Sequence, residues 1–281
     1  MTAPISTRLP TYFISHGGGP WPWIKDLMPF DMSALEESLQ AIPAELGVTP
    51  RAVLVVSAHW EAPTFTVQTS PRPPMLYDYG GFPDFTYHIQ YPAPGSPELA
   101  QRVTELLGGA GIANSQDSQR GFDHGMFAPM YVMYPDAEMP MVQLSILHGY
   151  DPDAHFAAGR ALAPLRDEGV LIIGSGLSSH NLRLMGPGGA DPSRRFDDWL
   201  SATLLDSDAD ERTERLRRWE QAPSARLAHP AEDHLIPLMV AVGAAEGEKA
   251  VRAYHERAMG GHITSSSFRF GPLGAGVAAT R

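Results

Sequence analysis

Three histidines in this sequence each follow an apolar, strand-like run. His16 comes directly after Thr11–Ser15, and His59 and His180 come at the ends of two further runs of this kind. Ligands bind beyond the carboxyl ends of the strands in an open α/β sheet, so we expect the three side chains to project into one cleft. Histidine is the commonest metal ligand, and its neutral ring suits zinc and iron. Each histidine taken alone is also compatible with an incidental residue in a turn, so the prediction of a metal site depends on all three.

A glycine-rich turn, Gly17-Gly-Gly19, follows the first of these histidines. Glycine allows a backbone to approach a ligand closely, and we expect that role here. The turn is too short for a dinucleotide-binding fingerprint. The sequence also has neither a Gly-x-Ser-x-Gly nucleophile turn nor a His-Glu-x-x-His zinc-peptidase helix. The histidines therefore remain the main candidates for chemistry.

The composition excludes several classes of protein. The sequence contains no cysteine, which excludes disulfides, thiolate catalysis and cysteine-ligated zinc or iron–sulfur sites. Its 32 acidic and 21 basic residues give a net charge of -11, and only the short run 215–218 is basic, so we expect no nucleic-acid partner. No apolar run approaches the roughly 18 residues of a membrane span, and the first residues do not resemble a signal peptide. We therefore expect a cytoplasmic protein with no membrane partner.

Strand-like and helix-like segments alternate along the chain. Apolar residues at helical spacing predict helices over Met32–Leu46, with Ser33 as its cap, over Pro97–Leu107, and later over His155–Asp167 and 194–220. The alternation predicts an α/β fold, a three-layer α/β/α arrangement around a central mixed, mostly parallel sheet. We find no linker or repeat, and we predict a single catalytic domain over 1–281 with short flexible termini. We expect a monomer or a homodimer.

A long segment over Glu61–Pro97 is rich in proline, glycine and aromatic residues. A loop of this length in a compact domain is usually either functional or disordered, and its aromatic content argues against disorder. We expect an ordered wall over a pocket, in which Tyr77, Tyr79 and Phe82 could pack against an aromatic ligand. The same three side chains are equally compatible with a place in the core.

An ordered set of motifs carries a family resemblance. The motifs are Ser15-His-Gly-Gly-Gly-Pro20, Ser57-Ala-His-Trp60, Tyr91-Pro-Ala-Pro-Gly-Ser-Pro97, Gly121-Phe-Asp-His-Gly125, Pro140-Met-Val-Gln-Leu-Ser145, the stretch 175–181 and His229-Pro-x-x-Asp-His234. Together they resemble the class III extradiol ring-cleavage dioxygenases (the LigB-like superfamily), in the single-chain branch named for 4,5-DOPA dioxygenase. The resemblance extends over about residues 11–270 and implies the fold of the catalytic subunit of protocatechuate 4,5-dioxygenase.

The resemblance implies a nonheme Fe(II) site and a role for each matching histidine. His16, His59 and His234 match the metal ligands, although more distant relatives have a carboxylate as the third ligand, which leaves Asp233 or Glu232 as an alternative. His180 matches the acid/base histidine, which in some relatives lies close enough to bind zinc. Two further histidines complete the prediction: His124, which matches a residue that contacts substrate or oxygen, and His229, which we place near the substrate at most.

These matches imply an extradiol dioxygenase. Such an enzyme inserts both atoms of O2 into a catechol-type ring next to its hydroxyl groups and gives a muconic semialdehyde. The expected partners are a small catechol-type substrate and O2, and the expected cofactor is Fe(II), with zinc as an alternative occupant. Two other functions remain open: a zinc-dependent hydrolase that uses the same histidines, and a non-catalytic binding protein like the Memo-type relatives.

Overall fold

The apolar runs of the chain pair into one mixed, eight-stranded sheet. The computed structural model describes residues 8–273. Its strands are β1 (Thr11–Ser15), β2 (Ala52–Ala62), β3 (Phe65–Gln68), β4 (Asn114–Asp117), β5 (Met141–Leu147), β6 (Val170–Gly176), β7 (Ala250–Met259) and β8 (Ile263–Phe270). They lie side by side in the order β4-β3-β5-β2-β6-β1-β8-β7.

Four parallel strands form the middle of this sheet. β5, β2, β6 and β1 all run in the same direction, and they bring their carboxyl ends to one edge. β7 and β8 form an antiparallel hairpin, and β8 also pairs antiparallel with β1. On the other side of the sheet, β3 is antiparallel to β5 and parallel to β4. The prediction of a mixed, mostly parallel sheet is confirmed.

Helices cover both faces of the sheet. Within residues 8–273 the α-helices are α1 (Trp21–Ile24), α2 (Ser33–Leu46), α3 (Pro97–Gly109), α4 (His124–Met133), α5 (Pro152–Leu162), α6 (Ala190–Leu205), α7 (Ala209–Arg217), α8 (Ala225–Ala228) and α9 (Pro237–Ala244). Leu54 and Val56 of β2 pack in a core with α3, α5, α6 and α9, while Val53 and Val55 face a second core with α2 and α4. Because both faces of β2 are buried, its sequence is a continuous apolar run. The predicted three-layer α/β/α domain is confirmed.

Two helices differ from what the sequence pattern predicts. Ser33 is the first residue of α2 and not its cap, because Asp31 Oδ1 accepts hydrogen bonds from both the backbone N–H and the hydroxyl of Ser33, at 2.9 and 2.6 Å. The pattern does not predict α4 at all. Nearly all of α4 is buried, and it contains Pro129, so no polar face marks its helical period.

The ends of the chain fall outside the described residues. The expectation of short flexible termini concerns in part residues 1–7 and 274–281, which lie outside that range. The first and last strands, β1 and β8, pair with each other, so both ends of the described chain belong to the central sheet. Among residues 8–273, no helix is both long enough and apolar enough to cross a membrane.

His155 ties the end of β5 to the start of α5 through both ring nitrogens. Nε2 accepts a hydrogen bond from the backbone N–H of Leu147 at 3.1 Å, and Nδ1 lies 2.7 Å from the carbonyl oxygen of Asp151. The ring is therefore neutral, with its proton on Nδ1. Burial lowers the pKa of His155 to about 4, although the bond to Asp151 acts in the opposite direction.

This arrangement predicts a pH-dependent loss of stability in the metal-free protein. The pKa of His155 is lower in the folded chain, at about 4, than its ordinary value of 6.5, so the unfolded chain binds more protons between these values. The stabilisation is fully present above pH 6.5 and is lost as the pH falls toward 4, with a contribution on the order of 3 kcal/mol from this one residue. Urea unfolding across this range should show a smaller pH dependence in His155→Gln than in the wild type. An unchanged dependence would contradict the prediction.

Candidate metal centre

Three histidine side chains converge at the carboxyl edge of the sheet. His16 directly follows β1, His59 lies in the last part of β2, and His234 precedes α9. Nε2 of His59 lies 3.3 Å from Nε2 of His16 and 3.2 Å from Nε2 of His234. One nitrogen from each ring lies within 4.8 Å of the other two, an arrangement that could hold a metal ion. The structure therefore brings together the three histidines that the sequence predicts as ligands.

The protonation of these rings fits a metal ion. Burial, and then the proximity of the other histidines, lowers the pKa of His16 and His234 well below the ordinary value. Burial also lowers the pKa of His59 to about 4. At neutral pH the rings are therefore uncharged, and lone pairs that face one another at these distances repel unless a cation or a shared proton lies between them. Three neutral imidazole nitrogens are a donor set that suits zinc or iron.

The turn after His16 is shaped by packing. Gly17 has a φ of +78°, and a Cβ on this residue would lie 2.4 Å from Nε1 of Trp21. The same indole nitrogen donates a hydrogen bond to the carbonyl oxygen of His16 at 2.8 Å, which fixes the backbone of His16. The glycine is therefore required by the turn and by the close approach of Trp21. The sequence suggested a different reason for this glycine, namely the close approach of its backbone to a ligand.

A polar network supports His59 from behind. The backbone N–H of His59 donates to the hydroxyl of Ser57 at 3.2 Å, and that hydroxyl donates to Oδ1 of Asp123 at 2.7 Å. Arg120 donates to the carbonyl oxygen of His59 and to Oδ2 of Asp123, both at 3.0 Å. Gly125 leaves room for the imidazole, since a Cβ there would lie 2.7 Å from Cδ2 of His59. These contacts hold His59 against the first turn of α4.

His124, the first residue of α4, adds a fourth ring to the group. Its ring centroid lies 4.0 Å from that of His59 and 5.4 Å from that of His16. Its Nδ1 lies 2.9 Å from Oδ1 of Asp78. Sequence reasoning overlooks Asp78, although it lies between the two tyrosines of the predicted aromatic segment. Burial raises the pKa of Asp78, but the hydrogen bonds and charges of the neighbouring histidines outweigh it and hold that pKa below its usual value.

His180 lies on the other side of the group and stacks on His234. The ring centroids are 3.4 Å apart and the planes differ by 21°. Burial lowers the pKa of His180 to about 4, and the charge of Asp233 opposes this shift. At neutral pH the ring is therefore uncharged and able to accept a proton. This position beside a proposed ligand fits the expected acid/base residue.

The neighbouring carboxylates lie outside the three-histidine group, and Asp233 belongs to a second group, with His180 and His234, that could also hold a metal ion. Asp233 Oδ2 lies 2.9 Å from Nδ1 of His234, on the side of the ring away from the group, and without hydrogen-bonding geometry. Glu232 forms a bidentate ion pair with Arg226, in which Nη1 and Nη2 donate to the two carboxylate oxygens at 2.9 and 3.0 Å. Neither carboxylate belongs to the group formed by the three Nε2 atoms.

The predicted aromatic wall has one member close to the histidines. The ring of Tyr79 lies 5.8 Å from His124 and 5.4 Å from Phe82. The hydroxyl of Tyr79 donates to the carbonyl oxygen of Thr86 at 2.6 Å, and burial raises its pKa to about 12. Tyr77 similarly donates to a backbone carbonyl, at 2.6 Å, and packs against the ring of Tyr79. Both hydroxyls are engaged, so only the rings of these residues remain available to contact a ligand.

His229 lies outside the group of histidines. It is fully buried, and its ring packs against Phe196 and Trp219, with centroids 5.0 and 6.0 Å away. Its Nε2 lies 3.0 Å from the carbonyl oxygen of Ser178. His229 therefore contacts the segment that leads to His180. Its expected position near the substrate stays a prediction.

Comparison with known proteins indicates one family. Residues 24–271 match the family model described as the catalytic LigB subunit of aromatic ring-opening dioxygenase. The chain is 40% identical over 265 residues to a Beta vulgaris protein named 4,5-DOPA dioxygenase extradiol, and the match covers 92% of this chain and 96% of that protein. It is 36% identical over 274 residues to a protein of the same name from Escherichia coli strain K12, with 95% and 96% covered.

A solved structure shares the fold. The crystal structure of the uncharacterized protein JW3007 from Escherichia coli K12 superimposes with a TM-score of 0.74 at 31% sequence identity, and the match covers 94% of this chain and 100% of that chain. The residues that match the family model begin after His16. The assignment of His16 to the histidine group therefore depends on its position in the structure.

The geometry predicts which histidine substitutions weaken metal binding. Replacing His16, His59 or His234 by alanine leaves two facing nitrogens, and we expect Zn²⁺ affinity to fall by about 100-fold or more, because a zinc site ordinarily has at least three protein ligands. Competition with a chromogenic chelator measures the affinity. The matched control is His148→Ala, which removes an exposed histidine and should bind Zn²⁺ like the wild type. Wild-type affinity in His234→Ala would exclude this residue as a ligand.

Proposed function

Because the chain belongs to the family of the catalytic LigB subunit of aromatic ring-opening dioxygenases, we propose that it is an Fe(II)-dependent extradiol dioxygenase. Its substrates would be O2 and a small catechol, and its product a muconic semialdehyde. The observation that carries the proposal is the convergence of three neutral imidazole nitrogens beside two further histidines, His180 and His124.

The proposed ligands are His16, His59 and His234. The donor set fits Fe(II) as well as zinc, because neutral imidazole binds both metals. Three protein ligands leave positions for other molecules, as in catalytic metal sites. When bound, Fe(II) would hold the catechol oxygens and O2 next to each other and carry electron density between them.

His180 is the proposed base for the catechol. The neutral imidazole of His180 would accept a proton from a hydroxyl group of the catechol. The low pKa of His180, about 4, keeps the ring neutral at pH 7, and its stacking on His234 holds it within the site. A positioned histidine that transfers protons typically contributes 10²–10⁴-fold to a rate.

His124 is proposed to act on the opposite side of the site. Its Nδ1 faces Asp78, so Nε2 is the nitrogen that is free to contact substrate or oxygen. Tyr79 and Phe82 next to it provide ring surface that can pack against an aromatic ring and exclude water. The two histidines and the aromatic residues together suit a flat, dihydroxylated ring.

The substrate class is inferred from the relatives. The proteins from Beta vulgaris and Escherichia coli are both named 4,5-DOPA dioxygenase extradiol. We propose a catechol of similar size for this chain. Comparison of catechols with different ring substituents would identify the preferred one.

Oxygen uptake with a panel of catechols tests the proposal. Protein loaded anaerobically with Fe(II), mixed with each catechol and then exposed to air, should consume one O2 per catechol and form a yellow ring-fission product. The same protein loaded with Zn²⁺ is the control and should consume none, because zinc has no redox chemistry. Cleavage of an ester or amide by the zinc protein, without oxygen uptake by the iron protein, would instead establish a hydrolase.

Substitution of His180 separates catalysis from metal binding. We expect His180→Gln to bind Fe(II) like the wild type and to lower kcat by about 10²–10⁴-fold, because the proton acceptor is lost while the three ligands remain. Iron content and steady-state oxygen uptake measure the two effects. Loss of iron in this variant would make His180 a ligand, and an unchanged kcat would exclude it as the base.

A further inference from the structure

Asp78 lies between two of the histidines and contacts both with its side chain. Its Oδ1 lies 2.9 Å from Nδ1 of His124, and its Oδ2 lies 3.2 Å from Nδ1 of His59. The carboxylate is only 18% exposed, and all three side chains lie within one compact group. A single carboxylate thus faces the same nitrogen, Nδ1, of a proposed metal ligand and of a proposed catalytic residue.

The start of α4 fixes the position of this carboxylate. Oδ1 of Asp78 also accepts a hydrogen bond from the backbone N–H of His124, at 2.9 Å. That N–H belongs to the first residue of the helix, where backbone donors have no partner within the helix and a negative charge is favourable. The two interactions with His124 orient the carboxylate so that its second oxygen faces His59.

These contacts determine which ring nitrogen carries the proton. Nδ1 of His124 hydrogen-bonds to Oδ1 of Asp78, and an ionised carboxylate can only accept, so this nitrogen carries the hydrogen. Nδ1 of His59 lies 3.2 Å from Oδ2, where a nitrogen lone pair would be repelled by the carboxylate, so the Nδ1–H form is favoured in this ring as well. A neutral imidazole has one protonated nitrogen, so the lone pair of each ring is on Nε2. In His59 this is the nitrogen that points into the three-histidine group. The wrong tautomer would place a hydrogen where the metal binds.

We propose that Asp78 is a positioning residue that sets the tautomer and the orientation of His59 and His124 at once. It directs the Nε2 lone pair of His59 toward the metal and that of His124 toward the substrate. Carboxylates that bond the outer nitrogen of a metal-binding histidine fix ring orientation and raise ligand basicity. The inference depends on the proposed metal site but not on the identity of the substrate.

His16 differs from His59 in this respect, whereas Nδ1 of His234 lies 2.9 Å from a different carboxylate, Oδ2 of Asp233. Nδ1 of His16 is buried and has no hydrogen-bond partner among the described residues. No carboxylate therefore sets its tautomer in the way that Asp78 sets that of His59. A change at Asp78 should accordingly affect one ligand of the three and leave the other two in place.

Asp78→Asn tests the proposal because an amide has only one accepting oxygen. That oxygen can keep both hydrogen bonds from His124, and the NH₂ group then faces Nδ1 of His59. Two donors would repel, so His59 should move its proton to Nε2. We expect Zn²⁺ affinity to fall by about 10- to 100-fold. Two-bond ¹H–¹⁵N NMR of the histidine rings should show His59 changed from the Nδ1–H to the Nε2–H form in the metal-free protein.

Two further variants serve as controls. Asp84→Asn removes a 97% exposed carboxylate from the same segment and should change neither Zn²⁺ affinity nor the tautomer of His59. Asp78→Glu keeps two accepting oxygens, so it should retain the Nδ1–H form and bind Zn²⁺ more tightly than the asparagine variant. This variant also provides the test if Asp78→Asn does not fold.

The outcomes separate this inference from the proposed function. Wild-type Zn²⁺ affinity in Asp78→Asn would overturn it, and so would weakened affinity with His59 still in the Nδ1–H form, because the effect would then be general to the fold. In Asp78→Glu, an Nε2–H form of His59 would overturn it as well. Both measurements use Zn²⁺ and no substrate, so failure of the wild type to cleave catechols would count against the dioxygenase proposal alone.

Discussion

The site depends on the burial of three neutral histidines whose Nε2 atoms face one another. Nε2 of His59 lies 3.2–3.3 Å from the corresponding atoms of His16 and His234. Burial keeps protons off these rings, since a charged imidazole loses its hydration there. Facing lone pairs repel unless a cation or a shared proton lies between them, so the fold holds the rings in an arrangement that could bind a metal ion. Such preorganisation requires a surrounding structure that keeps the three rings from moving apart.

The sheet supplies this resistance. β2, β6 and β1 are neighbours in the parallel part of the sheet, and each leads to one of the histidines that the sequence places after an apolar run. These strands are buried on both faces, so a shift of one of them would disturb two cores at once. The N–H of Leu177, the residue directly after β6, donates a hydrogen bond to the carbonyl oxygen of His234 at 3.0 Å, which links the segment before α9 to the end of β6. The proposed ligands thus come from distant parts of the chain but from adjacent parts of the fold.

Carboxylates lie beside four of the five imidazoles, and His16 is the exception among the described residues. Asp78 faces Nδ1 of His59 and His124, Asp233 lies beside His180 and His234, and buried Asp123 supports the backbone around His59 through Ser57 and Arg120. Negative charge behind neutral imidazoles makes them better ligands for a cation. This division, with carboxylates outside and the Nε2 atoms inside, leaves the centre of the group to the proposed metal and substrates.

Much of the scaffold could be predicted from the sequence, because its signals are local. The continuous apolar run of β2 and the spacing of Leu35, Leu39 and Ile42 in α2 indicate a strand buried on both faces and a helix buried on one. α4 shows no periodic alternation of apolar and polar residues, because nearly all of its residues are buried. The prediction that Ser33 caps α2 is wrong for a different reason. Asp31, two residues earlier, accepts the hydrogen bond from the backbone N–H of Ser33.

The sequence by itself determined the residue types that are available, namely histidine and carboxylate without cysteine, and the strands that bring His16, His59 and His180 to one edge. Only the tertiary structure decided which atoms meet. It placed Nε2 of His234 in the group and Asp233 behind the ring, and it brought Asp78 to His59 and His124. The physical reason is that the choice of ring nitrogen depends on contacts of about 3 Å, the length of a hydrogen bond, between residues far apart in the chain. The spacing of residues along the sequence does not predict contacts of this kind.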